Sequence, residues 1–210
     1  MSQQLSVALT TARVYLNDTP KAVWTDAQLI PIAQETHREL QSKLWEVGSP
    51  VVRAQSADIT VTAGTTTITF GGTPALPADL LTPFRLIERA TADPLTNAVE
   101  MTEQTFIPTV AQTAILQFWS WIDESIQLLG ASADRKVVIF YRKLIAIPVL
   151  TTDLLGILHA EQYVGPRTAA IAHLSLGNKA AYDAIMPEAT LKLGMVVAAQ
   201  RGQQTPPMKP

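Results

Sequence analysis

The 210-residue chain has no cysteine, which excludes disulfides and thiolate metal sites and leaves the redox compartment open. It is also poor in charge: 16 Lys and Arg stand against 18 Asp and Glu, a net charge of −2. A chain so balanced carries no basic field of the kind that drives nucleic-acid binding. Long apolar runs are missing too, although 47% of the residues are hydrophobic. The nearest candidate for a membrane span, Val137 to Ala160, is cut by Arg142, Lys143, Pro148 and Asp153. The opening MSQQLSVALTTARVYL has an apolar centre without a basic start, unlike a signal peptide. These absences predict a soluble, non-secreted globular protein with a core of its own.

What is present falls into three parts and a tail. Residues 1–50 read as helical. A first helix around Ser6 to Leu16 carries Ala8, Ala12, Tyr15 and Leu16 on one side. Thr25 with Gln28 three residues on forms a capping box, and Leu29, Ala33, Thr36, Leu40, Leu44 and Val47 then make one apolar stripe. Pro31 predicts a kink or a late start, and Gly48 with Pro50 ends the helix.

Residues 51–150 read as β-rich. DITVTAGTTTITF alternates apolar residues and threonine about Gly64-Thr65. A turn there places Val61 opposite Ile68 and Ile59 opposite Phe70. In WSWIDESIQLL, a turn at Asp123-Glu124 pairs Trp121 with Ile126, Trp119 with Leu128 and Ser120 with Gln127. A longer turn, Gly130 to Asp134, leads to a third, central strand in which Val137 and Ile139, or after a slip Val138 and Phe140, continue the tryptophan face. The spacing makes the tryptophans core residues and the acidic pair an exposed turn.

Residues 151–202 are helical again. One helix stops at Gly177, Asn178 caps the next, and Pro166 and Pro187 are expected to kink them. Ala169, Ala170, Ala172, Ser175, Ala180, Ala181 and Ala184 favour close helix approach, within one chain or between neighbours. Residues 203–210, QQTPPMKP, read as a flexible tail.

Motifs for catalysis are scarce. No phosphate-binding glycine loop, G-x-S-x-G elbow or H-E-x-x-H occurs. The histidines, His37, His159 and His173, lie far apart, His37 as a solvated helix residue and His173 as a core or interface one. Asp123 and Glu124 are adjacent, so their carboxylates diverge. No catalytic residue, cofactor or metal is expected.

The order of WTDAQLIPIAQETHRELQSKLWEVGSP, LPADLLTPFRLIERA, FWSWIDESIQLLGASADRKVVIFYRKL and LLGILHAEQYVGPRTAAIAHLSLGN resembles the head-to-tail adaptor proteins of tailed bacteriophages, also called connector or head-completion proteins. The similarity covers most of the chain. It implies a non-enzymatic structural virion protein, present as a ring of about twelve copies beneath the portal. Such a ring extends the DNA channel without binding DNA specifically and is a platform for the next neck or tail protein. Its partners are the portal protein, identical subunits and that downstream protein, with no membrane. Its place is the virion neck, after assembly in the host cytoplasm. The implied fold is α+β: a helical bundle from the N- and C-terminal helices with a central antiparallel β-rich insertion. The resemblance also assigns the C-terminal arm (Met195, Val196, Val197, Arg201, Gln203, Gln204, Pro206 and Pro207) to contact with the portal or a neighbouring subunit. Two other readings stay open. One is a carbohydrate- or peptide-binding module using Trp119, Trp121 and Tyr141. The other is a hydrolase of unfamiliar type using Asp123, Glu124 and a histidine.

Overall fold

The computed structural model describes residues 2–201. As expected, the chain is α+β and its helices come from both ends of the sequence. It divides into two compact units, one of residues up to Val52 together with those from Ile145, the other Arg53–Leu144. The β-rich unit therefore closes six residues before the expected boundary at 150, because the segment from Ile145 packs into the helical core.

In the helical unit, α1 spans Leu5–Tyr15, α2 Asp26–Glu46, α3 Ala160–Ser175 and α4 Lys179–Arg201. Helix α3 packs against each of the other three. Its small residues permit this: Ala160, Gly165, Ala169, Ala170 and Ala172 are all buried, so the helix is covered on nearly every side. Helix α2 starts at Asp26, with the Thr25 N–H donating to Gln28 Oε1 at 2.9 Å, and runs on through Pro31. The late start is thus overturned. Leu29, Ala33, Thr36, Leu40 and Leu44 are buried as the stripe predicts, but Val47 is the C-cap and is exposed. Gly48, at φ +64°, closes α2: its N–H reaches Trp45 O at 3.0 Å, and Ser49 N–H reaches Leu44 O at 2.9 Å. This left-handed close satisfies carbonyls that the helix leaves unpaired. Gly177 and Asn178 end α3 in the same way.

The second unit holds two sheets. Strands β1 (Arg53–Gln55), β2 (Ile59–Val61), β4 (Leu80–Ala90), β5 (Val99–Glu100) and β9 (Arg135–Lys143) form one, with β9 between β4 and the β1/β2 edge. Strands β3 (Thr67–Thr69), β6 (Thr102–Glu103), β7 (Phe118–Ile122) and β8 (Ser125–Leu128) form the other, in the order β3-β8-β7-β6. The β7–β8 hairpin has the expected register, Trp119 with Leu128, Ser120 with Gln127 and Trp121 with Ile126. Its turn places Asp123 at φ 49° and Glu124 at φ 55°, the mirror-image turn that suits strand twist.

Two expected pairings are corrected. Strands β2 and β3 do not pair: Val61 lies opposite Arg135 on β9, and Ile68 lies opposite Ile126 on β8. Gly64 instead crosses between the sheets, its N–H held by Ala131 O at 2.8 Å. Strand β9 is central, as its two apolar faces suggest, but it belongs to the sheet that faces the tryptophan hairpin. Val61, Ile68, Trp119, Ile126, Val137 and Ile139 still meet in one core. Side-chain alternation identified the inward face of Val61 and Ile68 correctly but placed Phe70 there too, which is 39% exposed, and it gave the strand partner wrongly.

Candidate functional site

Helix α4 is the element with the most surface left to explain. Asn178 Oδ1 caps it by accepting the Ala181 N–H at 3.2 Å. Its inward face buries Ile185, Ala189, Val196 and Gln200, the last donating through Nε2 to Leu158 O at 2.8 Å. Its outward face carries Ala184, Pro187, Leu191, Gly194, Met195 and Ala198, three or four residues apart and all exposed. Leu191 is 65% and Met195 50% exposed. Glu188 is the acid on this side, and Tyr15 Oη–H donates to it at 2.6 Å. An exposed helix ordinarily turns charge outward, and this face carries little of it.

Gly194 sharpens the point. A Cβ built there meets nothing within 4 Å. Nothing among the described residues needs a glycine here, and glycine costs an exposed helix about 0.5–1 kcal/mol relative to alanine. A backbone kept bare in mid-helix suits close approach from outside.

Of the residues assigned to the C-terminal arm, Met195 faces outward and Arg201 is exposed, Val197 is half-buried, and Val196 is fully buried in the core. Val196 is thus corrected from a contact residue to a packing one, because its position on the helix points it inward. Gln203, Gln204, Pro206 and Pro207 lie outside the described residues.

The histidines are not brought together. His159 precedes α3 at φ 61°, with Nδ1 3.8 Å from Glu161. His173 Nε2 lies 3.4 Å from Tyr15 O inside the bundle, a satisfied core-side residue. His37 is corrected outright: instead of being solvated it is fully buried. Its Nε2 donates to Leu155 O at 2.7 Å, and Nδ1 accepts from Gln41 Nε2 at 3.2 Å. Gln41 in turn donates to Ile145 O at 2.8 Å and accepts from Ile145 N–H at 3.1 Å. This polar knot ties the chain returning at Ile145 to α2. Asp123 and Glu124 stay exposed at their turn, and among the described residues no group of three or more His, Asp and Glu is placed to hold a metal.

The knot has a pH consequence. Burial pushes the His37 pKa down from its ordinary value of about 6.5, outweighing the bond to Leu155 that favours the cation, and Arg38 adds to the decrease. The unfolded chain therefore takes up the proton first. Stability is complete above about pH 6.5 and falls as pH drops toward the lower folded pKa. The denaturation midpoint is expected to fall between pH 7 and 5, with His37→Gln flattening that limb. An unchanged slope in the variant would assign it to other groups.

The three aromatic residues do not form an open platform. Trp119 is 1% and Tyr141 4% exposed, with Tyr141 Oη–H donating to Asp79 at 2.8 Å. Trp121 is half-buried and shows at a shallow cleft with Glu103, Gln104, Thr105 and Ser120. Sequence reasoning missed the polar frame of the α1–α2 loop. There Asp18 accepts N–H bonds from Ala22, Val23 and Trp24 at 2.8–3.0 Å and pairs with Arg13. Burial raises the Asp18 pKa, but the three amides and Arg13 outweigh it and hold the carboxyl below its usual range. No hydrophobic period marks such a loop, and Asp18 five residues after Arg13 was its only trace. No helix among the described residues is long and apolar enough to cross a membrane.

No protein-family model matches the chain, and no curated protein matches it.

Proposed function

We propose that the protein is a structural virion component, a head-to-tail adaptor that forms a ring of about twelve copies below the portal. The ring extends the DNA channel and is the platform for the next neck or tail protein. Subunits made in the host cytoplasm take their place in the virion neck, and the protein has no enzymatic role. The observation that carries this reading is the outward face of α4, apolar from Ala184 to Ala198 apart from Glu188, and bare at Gly194. A helix of this kind needs a protein surface on its far side, and a ring with a portal above it supplies one. The assembly of both chain ends into one bundle around α3, with the sheets inserted between, agrees with the adaptor architecture that the order of motifs resembles. The near-neutral charge suits a conduit past which DNA slides.

Two variants test the face. Leu191→Glu with Met195→Glu is expected to leave the far-ultraviolet circular dichroism unchanged and to reduce the copies bound to portal particles about tenfold or more in sedimentation. Gly194→Ala is expected to stabilise the free chain by about 0.5–1 kcal/mol while weakening assembly. Full occupancy by both variants would sink the reading.

A further inference from the structure

One end of the outer face of the sheet built on β9 brings together two arginines with no acid beside them among the described residues. Arg53 on β1 lies directly opposite Arg142 on β9, and Arg142 lies opposite Thr82 on β4. The next residues on the same face are Phe140 and Arg85, also opposite one another. Arg85 sits over the Phe140 ring at 5.2 Å, and Arg53 over the Phe84 ring at 5.7 Å. Phe84 is 43% exposed, at an irregularity in β4 between Pro83 and Arg85. Arg85 has a half-exposed ion pair with Glu100 at 3.0 Å, whereas Arg53 and Arg142 have none among the described residues.

Two like charges directly opposite on neighbouring strands work against the fold. Phe84 offsets part of this for Arg53, and nothing among the described residues does so for Arg142. A carboxylate from outside would turn the pair from a liability into a contact, since two adjacent guanidiniums are well matched to acidic groups.

The same unit carries the complement. Asp123 and Glu124 stand exposed at the end of the β7–β8 hairpin, and neither has a cation partner among the described residues. The Arg53–Arg142 pair and the acidic tip are thus two clusters of opposite charge in this unit, and neither has a salt-bridge partner among the described residues. The whole chain is at −2, so a polyanion such as nucleic acid meets no general attraction, and a second copy is the partner whose charge fits. We propose that the Asp123–Glu124 tip of one copy docks on the Arg53–Arg142 face of the next. Tip and face are different surfaces, so the contact is heterologous and propagates around a ring when its rotation closes. It rests on the ring reading above and names the side-to-side contact within it.

The absence of cysteine permits a direct test. Full-length Glu124→Cys and Arg142→Cys chains are prepared separately, mixed at about 1 mM where weak contacts of this class are populated, and oxidised. The expected product is a disulfide-linked dimer of one chain of each kind, several-fold more abundant than the dimers that either chain forms with itself. Its yield falls as salt rises from about 0.05 to 0.5 M, where screening shortens the reach of charge. Asp123→Lys with Glu124→Lys, and separately Arg53→Glu with Arg142→Glu, should each lower self-association of the chain, and mixing the two charge-reversed chains should restore it. Sedimentation of the unmodified chain runs in parallel. Multi-copy species without the mixed cross-link, or charge reversal without rescue, would overturn this contact and leave the ring reading standing. No multi-copy species, alone or with portal particles, would overturn both. Binding of single-stranded oligothymidine that is lost in Arg53→Glu with Arg142→Glu, without rescue by the acidic-tip variant, would assign the face to nucleic acid instead.

Discussion

Replacing Trp119 by alanine is expected to cost about 3–5 kcal/mol, enough to remove much of the stability of an ordinary domain. Trp119 is 1% exposed and shares its core with Ile68, Ile126, Leu128, Val137 and Ile139, drawn from both sheets. Truncation opens a void that strands on two sides cannot close, because each is held by its own ladder. Trp121, two residues on, shares the strand face but is half-buried. Its replacement by alanine is expected to cost only about 1–2 kcal/mol, in proportion to the apolar area it hides. Spacing alone made the two tryptophans equivalent; their positions relative to the sheet edge separate them. Denaturant titration of both variants checks the ranking. Equal losses, or red-shifted and freely quenched emission from a Trp24→Phe, Trp45→Phe, Trp121→Phe protein, in which Trp119 is the tryptophan that remains, would contradict the core placement.

The difference between these tryptophans shows what the sequence could reveal. Local rules were legible. The capping position before α2, the left-handed close at Gly48, the cap at Asn178 and the Asp123-Glu124 turn each depend on a few neighbouring residues. Inward and outward faces were legible for most strand residues for the same reason, since alternation is a local property; Phe70, just past the end of β3, is the exception and is exposed. Strand partnership was not. Val61 and Ile68 flank a glycine turn that looks like a hairpin, yet each finds a distant strand, because two sheets facing one another satisfy the same alternation as one folded ribbon. His37 failed for a related reason. Its charged neighbours Arg38 and Glu39 suggested solvent, while its helical phase places it beside Thr36, Leu40 and Gln41 on the buried side of α2. The outward face of α4 was half visible. Small residues in the C-terminal helices pointed to close packing, but packing against α3 and packing against a partner leave the same composition. Only the phase of Leu191, Gly194 and Met195 relative to buried Ala189 and Val196 tells them apart.

The same distinction gives the second large effect. Gly165→Ala is expected to destabilise the helical unit by about 1–3 kcal/mol, even though alanine is the better helix former by about 1 kcal/mol. A Cβ on Gly165 in α3 would lie 2.7 Å from Thr11 Cβ, 2.8 Å from Thr11 Cγ2 and 3.0 Å from Ala8 O. The first two atoms cannot swing away freely, because Thr11 Oγ1 is bonded to Val7 O at 3.1 Å. The third is α1 backbone, which moves only if the whole helix does. Separating α1 from α3 would also loosen Ala8, Ala12 and Ala169, whose burial depends on the two backbones running close. Packing therefore decides the sign against propensity. Gly194→Ala makes the identical chemical change in the neighbouring helix with open space around the new methyl, and there propensity decides. The pair should move in opposite directions in one thermal-unfolding experiment. A Gly165→Ala protein as stable as the parent would mean that α1 gives way at no cost, and that the small residues of α3 serve something other than this contact.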